Sequence, residues 1–153
     1  MILFWLIGLV MLILDQLLKL YIATNFQLGQ VQEVVPNILS FTYVQNTGGA
    51  SNIFSGNMLF FYIISIIAIP VLLYLIHRTK KRHFTCQLGL ILILSGTIGN
   101  LIDRIRLQYV VDMFQLDFMR FNIFNVADIA VTCGVALIII YLLFLDGKDH
   151  EQN

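Results

Sequence analysis

Charge is scarce in this chain: Lys and Arg number 9, Asp and Glu number 9, and together they make up 12% of 153 residues. A soluble domain carries about twice that share, so there is too little polar surface here to clothe a soluble globule. Proline and cysteine are scarcer still, at 2 each. Cys86 and Cys133 fall near opposite ends of their apolar runs, a placement that argues against a disulfide between them. Histidine is confined to His77, His83 and His150, which leaves little material for a metal centre or a serine-histidine pair. What is abundant is hydrocarbon. Hydrophobic residues reach 59% and the mean hydropathy is +0.86, the composition of an integral membrane protein.

The apolar residues gather into runs near 2–22, 58–76, 85–103 and 126–145. Each approaches the roughly 20 residues that cross about 30 Å of hydrocarbon. The expectation is an all-α membrane fold of four transmembrane helices, a single domain over 1–153 with no room for a separate soluble one. The first run lacks a positively charged n-region and a small-residue cleavage site, and Asp15 and Lys19 interrupt it, so it reads as a retained helix rather than a leader.

Sorting of charge gives the orientation. Four of the nine Lys and Arg lie in His77–His83, whereas 23–57 has none. The positive-inside rule places His77–His83 and both termini in the cytoplasm and turns 23–57 and 105–125 outward. Arg104, Arg106 and Arg120 on the outer side dilute that bias, and Lys148 in the C-terminal tail supports it.

The outward segments are polar and turn-rich. Val31–Val35 and Ile38–Val44, separated by Pro36-Asn37, predict a small extracytoplasmic β-sheet or hairpin. It runs into Gln45-Asn46-Thr47-Gly48-Gly49-Ala50, where Asn46 reads as a turn residue or a site residue. The segment 106–124 reads as an outer loop rich in aromatics, of the kind found in interfacial belts.

Against this background the ionisable residues in the apolar runs stand out. Asp15 and Lys19, one helical turn apart, are placed to pair, either as a packing device or as lining of a site. Asn100, Asp103 and Arg104 follow a glycine-rich stretch on adjacent turns, where Asp103 could orient either neighbour and the guanidinium fork of Arg104 suits a peptide carbonyl. Asn125 and Asp128 have the spacing of a helix cap. Asp112 follows the apolar pair Val110-Val111.

On the topology above, Asp15, Asn46, Asn100, Arg104, Asp112, Asn125 and Asp128 all fall in the outer half or just outside it. Polar groups in lipid must find one another or line a wet cavity, so one shared site is the economical arrangement. Every histidine is on the opposite side. Two carboxylates, Asp112 and Asp128, then remain as the chemistry: held close, they share one proton, one acting as base on water while the other polarises a carbonyl. That is aspartic peptidase chemistry. Its rival is a non-catalytic transporter or a lipid- or lipoprotein-binding paralogue using the same acids for protons or ions.

The order and wording of these motifs resemble the lipoprotein signal peptidase (signal peptidase II) family over essentially the whole chain. The pieces are DQLLK at Asp15–Lys19, YVQNTGGA at Tyr43–Ala50, GNLIDR at Gly99–Arg104, VVDM at Val110–Met113 and FNVADIAVTCG at Phe124–Gly134. The resemblance implies an aspartic endopeptidase of the bacterial cytoplasmic membrane, cleaving prolipoproteins before their diacylglyceryl-modified cysteine. It implies Asp112 and Asp128 as the catalytic pair. Asn46, Gly48, Asn100, Arg104 and Asn125 are then substrate-binding or site-lining, Asp15 and Lys19 match family positions, and Asp103 is support. The expected partners are prolipoprotein signal peptides and membrane lipids, with no cofactor, no metal and no nucleic acid. The chain departs from the family pattern at Gly49-Ala50-Ser51-Asn52 and at Met113.

Overall fold

A computed structural model describes residues 2–49, 56–79 and 83–145. Among them are α1 (Ile2–Asn25), β1 (Val31–Val35), β2 (Leu39–Asn46), α2 (Met58–Arg78), α3 (Phe84–Leu107), β3 (Val110–Leu116) and α4 (Val126–Phe144). All four helices are long and apolar enough to cross a membrane. α1 and α3 outrun their expected spans by three to four residues, to Asn25 and Leu107, because their polar last turns stay helical outside the apolar run.

The least apolar helix is the most enclosed. α3 has a hydropathy of 1.6 and 61% of its apolar window buried, whereas α2 has 2.7 and 17%. In lipid the outside of a bundle is hydrocarbon and polar groups turn inward, so a central helix is the one that can carry them. α2 packs chiefly on α3, while α4 packs on α3 and α1, leaving α2 and α4 on either flank of the central helix. The α3–α4 crossing depends on small residues. A Cβ on Gly89 would sit 2.8 Å from the Gly134 carbonyl oxygen, and one on Gly134 would sit 2.6 Å from that of Gly89. At the end of the bundle where α2 finishes and α3 begins, Leu72, Ile76, Cys86, Leu90, Ile91, Leu94 and Tyr141 form a common core. Both cysteines are free, Cys86 buried and Cys133 exposed.

The expected hairpin is β1 and β2, turning at Pro36-Asn37 with Asn37 in the left-handed region (φ 58). The segment 106–124, expected as an outer loop, is not all loop. Its first half is β3, antiparallel to β2, which completes a sheet of order β1-β2-β3. Gln108 (φ 66) ends α3 and reverses the chain into that strand. Strand alternation then sorts the side chains of β3. Val111 and Met113 join Ile22, Phe26 and Tyr43 in a second core, and Asp112 is turned to the opposite face. Met113, one of the departures from the family pattern, is fully buried in that core and away from Asp112's face. Ala50, Ser51 and Asn52 lie outside the described residues.

Candidate active site

Three backbone segments meet at the C-terminal end of α3. β3 brings Asp112, the end of β2 brings Asn46, and the start of α4 brings Asn125 and Asp128. The segment before α4 is tied to β3: Phe124 N donates to Phe114 O at 3.2 Å, and Met113 N and Phe114 N donate to Phe124 O at 3.0 and 2.8 Å. That pairing delivers Asn125 beside Asp112.

Asn125 is the N-cap of α4 and fully buried. Its Oδ1 accepts from Asp128 N at 2.9 Å, and its backbone N donates to Asp128 Oδ2 at 3.2 Å, a reciprocal capping box. The remaining end of the same amide, Nδ2, donates to Asp112 Oδ1 at 2.6 Å. A cap and a site residue had been alternative readings of Asn125, and one side chain serves as both because an amide has an acceptor for the helix and a donor to spare. Asp112 Oδ2 accepts from Asn46 Nδ2 at 2.9 Å, and Asp128 Oδ1 accepts from Asn100 Nδ2 at 2.9 Å. Asn46 is in turn fixed by Gly48 N, which donates to its Oδ1 at 2.8 Å.

Asp112 is 2% exposed. Burial first, and the facing charge of Asp128 second, push its carboxyl up to about 6, against the hydrogen bonds from Asn46 and Asn125. A carboxyl placed there takes and releases a proton near neutral pH, which an ordinary aspartate does not.

Asp112, Asp128, Asn46, Gly48, Asn100, Arg104 and Asn125 line one cavity of about 610 Å³. Its flanks are apolar, with Phe61 and Ile64 from α2 and Ile129 from α4. A second hollow of about 380 Å³ over Gln115–Ile123 is wide open and has no acid in its lining. Arg104 is buried, stacks 4.5 Å from the Phe61 ring centroid and donates from Nη2 to Gly48 O at 3.2 Å. Its Nε is buried with no hydrogen-bond partner among the described residues, a donor in reserve beside the cavity.

Asp15, Lys19 and Asp103 stand behind this cavity rather than in its lining. Lys19 pairs with Asp15 at 2.9 Å and Asp103 at 3.1 Å, and all three are at most 3% exposed. Asp15 Oδ1 accepts from Ala127 N at 2.8 Å, so α1 holds the first turn of α4 by a carboxylate. Asp103, expected to orient Asn100 or Arg104, instead accepts from Val111 N at 3.1 Å and Gln16 Nε2 at 3.1 Å and thereby fixes β3. Lys19 Nζ stands between Asp103 and Asn100, donating to Asn100 Oδ1 at 2.9 Å and pairing with Asp103 at 3.1 Å. Gln16 went unnoticed in the sequence. Its Nε2 lies within hydrogen-bond reach of Asp15, Asp103 and the Gly99 carbonyl, and its only signal was its place inside DQLLK.

A family model described as signal peptidase (SPase) II matches residues 7–144. A lipoprotein signal peptidase of Lactobacillus johnsonii is 52% identical over 147 residues, 96% of this chain and 96% of that one. The Enterococcus faecalis protein of the same name is 45% identical over 153 residues, covering 100% of this chain and 94% of its own. Among solved structures, a bacterial membrane enzyme determined by the in meso method at 2.3 Å resolution aligns with a TM-score of 0.84 and 39% identity, over 90% of this chain and 85% of that one. Another, at 1.9 Å, gives 0.81 and 38%, over 92% of each.

Proposed function

The chain belongs to the signal peptidase II family and is a membrane protease that removes signal peptides from prolipoproteins, and from that premise we propose that it works as an aspartic endopeptidase with Asp112 and Asp128 as its catalytic pair. The observation that carries this reading is Asn125, whose side-chain Nδ2 donates to the Asp112 carboxylate while its backbone N donates to the Asp128 carboxylate, tying both acids into one unit lining one cavity. Four acids, Asp15, Asp103, Asp112 and Asp128, surround two cations, Lys19 and Arg104, and Lys19 is already matched by Asp15 and Asp103. Two further charges on the adjacent acids would be poorly compensated, which favours a proton shared between them in the reactive state.

In that state one carboxylate draws a proton from water as the oxygen adds to the scissile carbonyl, and the other acid donates its proton to the carbonyl oxygen. The roles then reverse as the carbon–nitrogen bond breaks. Arg104, with an unused donor and a fixed plane, holds a carbonyl of the substrate backbone, and Gly48 and Asn46 form the facing edge of the cleft. The apolar flanks from α2 and α4 suit a substrate whose signal helix and diacylglyceryl chains remain in lipid while the bond before the modified cysteine reaches the acids. The distribution of Lys and Arg supports cytoplasmic termini and a site near the outer face of a single four-span unit. The paralogue and transporter readings are not favoured by the family membership.

Asp112→Asn and Asp128→Asn, each purified as folded protein and given a lipidated precursor, should both lose cleavage by several orders of magnitude. Normal turnover by either would end the aspartic reading.

A further inference from the structure

Lys19 has no task in the chemistry just described. It lies outside the cavity, 3% exposed, and Asp15 and Asp103 already neutralise it. Packing explains that triad, but not a third contact: Lys19 Nζ donates to Asn100 Oδ1 at 2.9 Å, and the far end of the same amide donates to Asp128 Oδ1 at 2.9 Å. A carboxamide on its own can present either end to a neighbour. An ammonium only donates, so it accepts one orientation of Asn100, with the oxygen turned to α1 and the NH2 held on Asp128. The same ammonium polarises the amide and strengthens the bond at its far end.

Among the described residues, no other charged group is hydrogen-bonded to either side-chain amide that holds Asp112. Its two donors, Asn46 and Asn125, are oriented by neutral backbone amides, Gly48 N and Asp128 N. Asp128 also occupies the first turn of α4, where the helix amides favour negative charge, whereas Asp112 is on a strand. The other charged groups around the pair are Asp15 on α1, Asp103 and Arg104 on α3, with Tyr62 on α2 the nearby titratable group.

We propose that Lys19 is a positioning residue: through Asn100 it holds Asp128 as the carboxylate that takes the proton of the attacking water, which leaves the proton of the pair on Asp112. The inference rests on the aspartic reading and assigns the order within it. Asp128 accepts a proton from water as the hydroxide oxygen bonds to the carbonyl carbon, while Asp112 gives its proton to the carbonyl oxygen, forming a neutral gem-diol. Asp128 then protonates the leaving nitrogen, Asp112 recovers a proton from a gem-diol hydroxyl, and the carbon–nitrogen bond breaks. Both acids return to their starting states.

The test compares Lys19→Met, Lys19→Arg, Asn100→Ala and the Lys19→Met/Asn100→Ala double variant. Each is measured as kcat and KM against pH on a lipidated precursor, with Asp112→Asn and Asp128→Asn alongside. Lys19→Met should lower kcat by about tenfold or more with KM within about twofold, and move the acidic limb of the profile up by about one pH unit, a tenfold change in proton affinity. Asn100→Ala, which leaves the Lys19 ion cluster intact, should move the limb in the same direction. The double variant should add little to either, because the two residues act in series, and Lys19→Arg should recover most of the loss. If Lys19→Met lowers only the yield of folded enzyme, Asn100→Ala still decides the matter. An unmoved acidic limb in Asn100→Ala, or additive losses in the double variant, overturns the relay while the catalytic pair stands. Turnover by Asp112→Asn or Asp128→Asn overturns the pair itself.

Discussion

Asp112 destabilises the folded protein at neutral pH, and Asp112→Asn measures by how much. Burial and then the charge of Asp128 raise its carboxyl from 3.8 to about 6. With the folded value above the unfolded one, the native state binds the proton more tightly. The contribution is therefore fully present below about 3.8 and is lost as pH rises through about 6. That interval corresponds to about 3 kcal/mol. Asn at 112 removes the pH-dependent part and substitutes a constant one. Its single acceptor oxygen faces two NH2 donors, from Asn46 at 2.9 Å and Asn125 at 2.6 Å. Neither can turn over, because each oxygen already accepts a backbone amide, from Gly48 and from Asp128. One donor then faces another, at a loss of about 1–3 kcal/mol. The inactive variant should therefore be less stable than the wild type near pH 4 and level with it or more stable near pH 7.5. The change in the gap between those pH values, about 2–3 kcal/mol, does not depend on the constant part. Unfolding of both proteins in the same detergent micelles from pH 4 to 8 measures it. Stability curves that run parallel across that range would refute the assignment of a raised, buried Asp112.

Two further substitutions probe the frame around the pair. A Cβ at Gly96 would meet the Ala127 carbonyl oxygen and lie 2.7 Å from Val131 Cγ2, so Gly96→Ala should push the start of α4, and Asp128 with it, off α3. The expected loss is about 1–3 kcal/mol of stability and about 10–100-fold in turnover; thermal unfolding and precursor cleavage read the two, and wild-type values in both would count against the tight crossing. Arg104→Lys keeps the charge but loses the planar stack on Phe61 and the fork toward Gly48. KM for the precursor should rise by about tenfold, and an unchanged KM would remove Arg104 from substrate binding.

The helices were legible because hydrocarbon thickness imposes a length on any apolar run, and the Asp15–Lys19 pair because residues four apart share a helix face. The Asn125–Asp128 cap was legible for the same local reason. β3 was not. Val110–Leu116 is buried on both faces in its first half, so it lacks the polar–apolar alternation that marks a strand from sequence, and its pairing partner, β2, precedes it by two whole helices. The partners of Asp103 were misjudged on adjacency along one helix, whereas the groups that reach it, Gln16, Lys19 and Val111 N, come from α1 and β3.

By itself the sequence determined that this is a four-span membrane protein and which acids are exceptional in it, since both conclusions follow from the cost of polar groups in lipid. Only the tertiary structure decided how those acids are held. Asp112 is on a strand, Asp128 on a helix, and Asn46, Asn100 and Lys19 on three further elements. Whether they meet, which end of each amide faces which carboxylate, and which cation stands behind which acid are settled by packing between elements, and no local pattern in the chain encodes that.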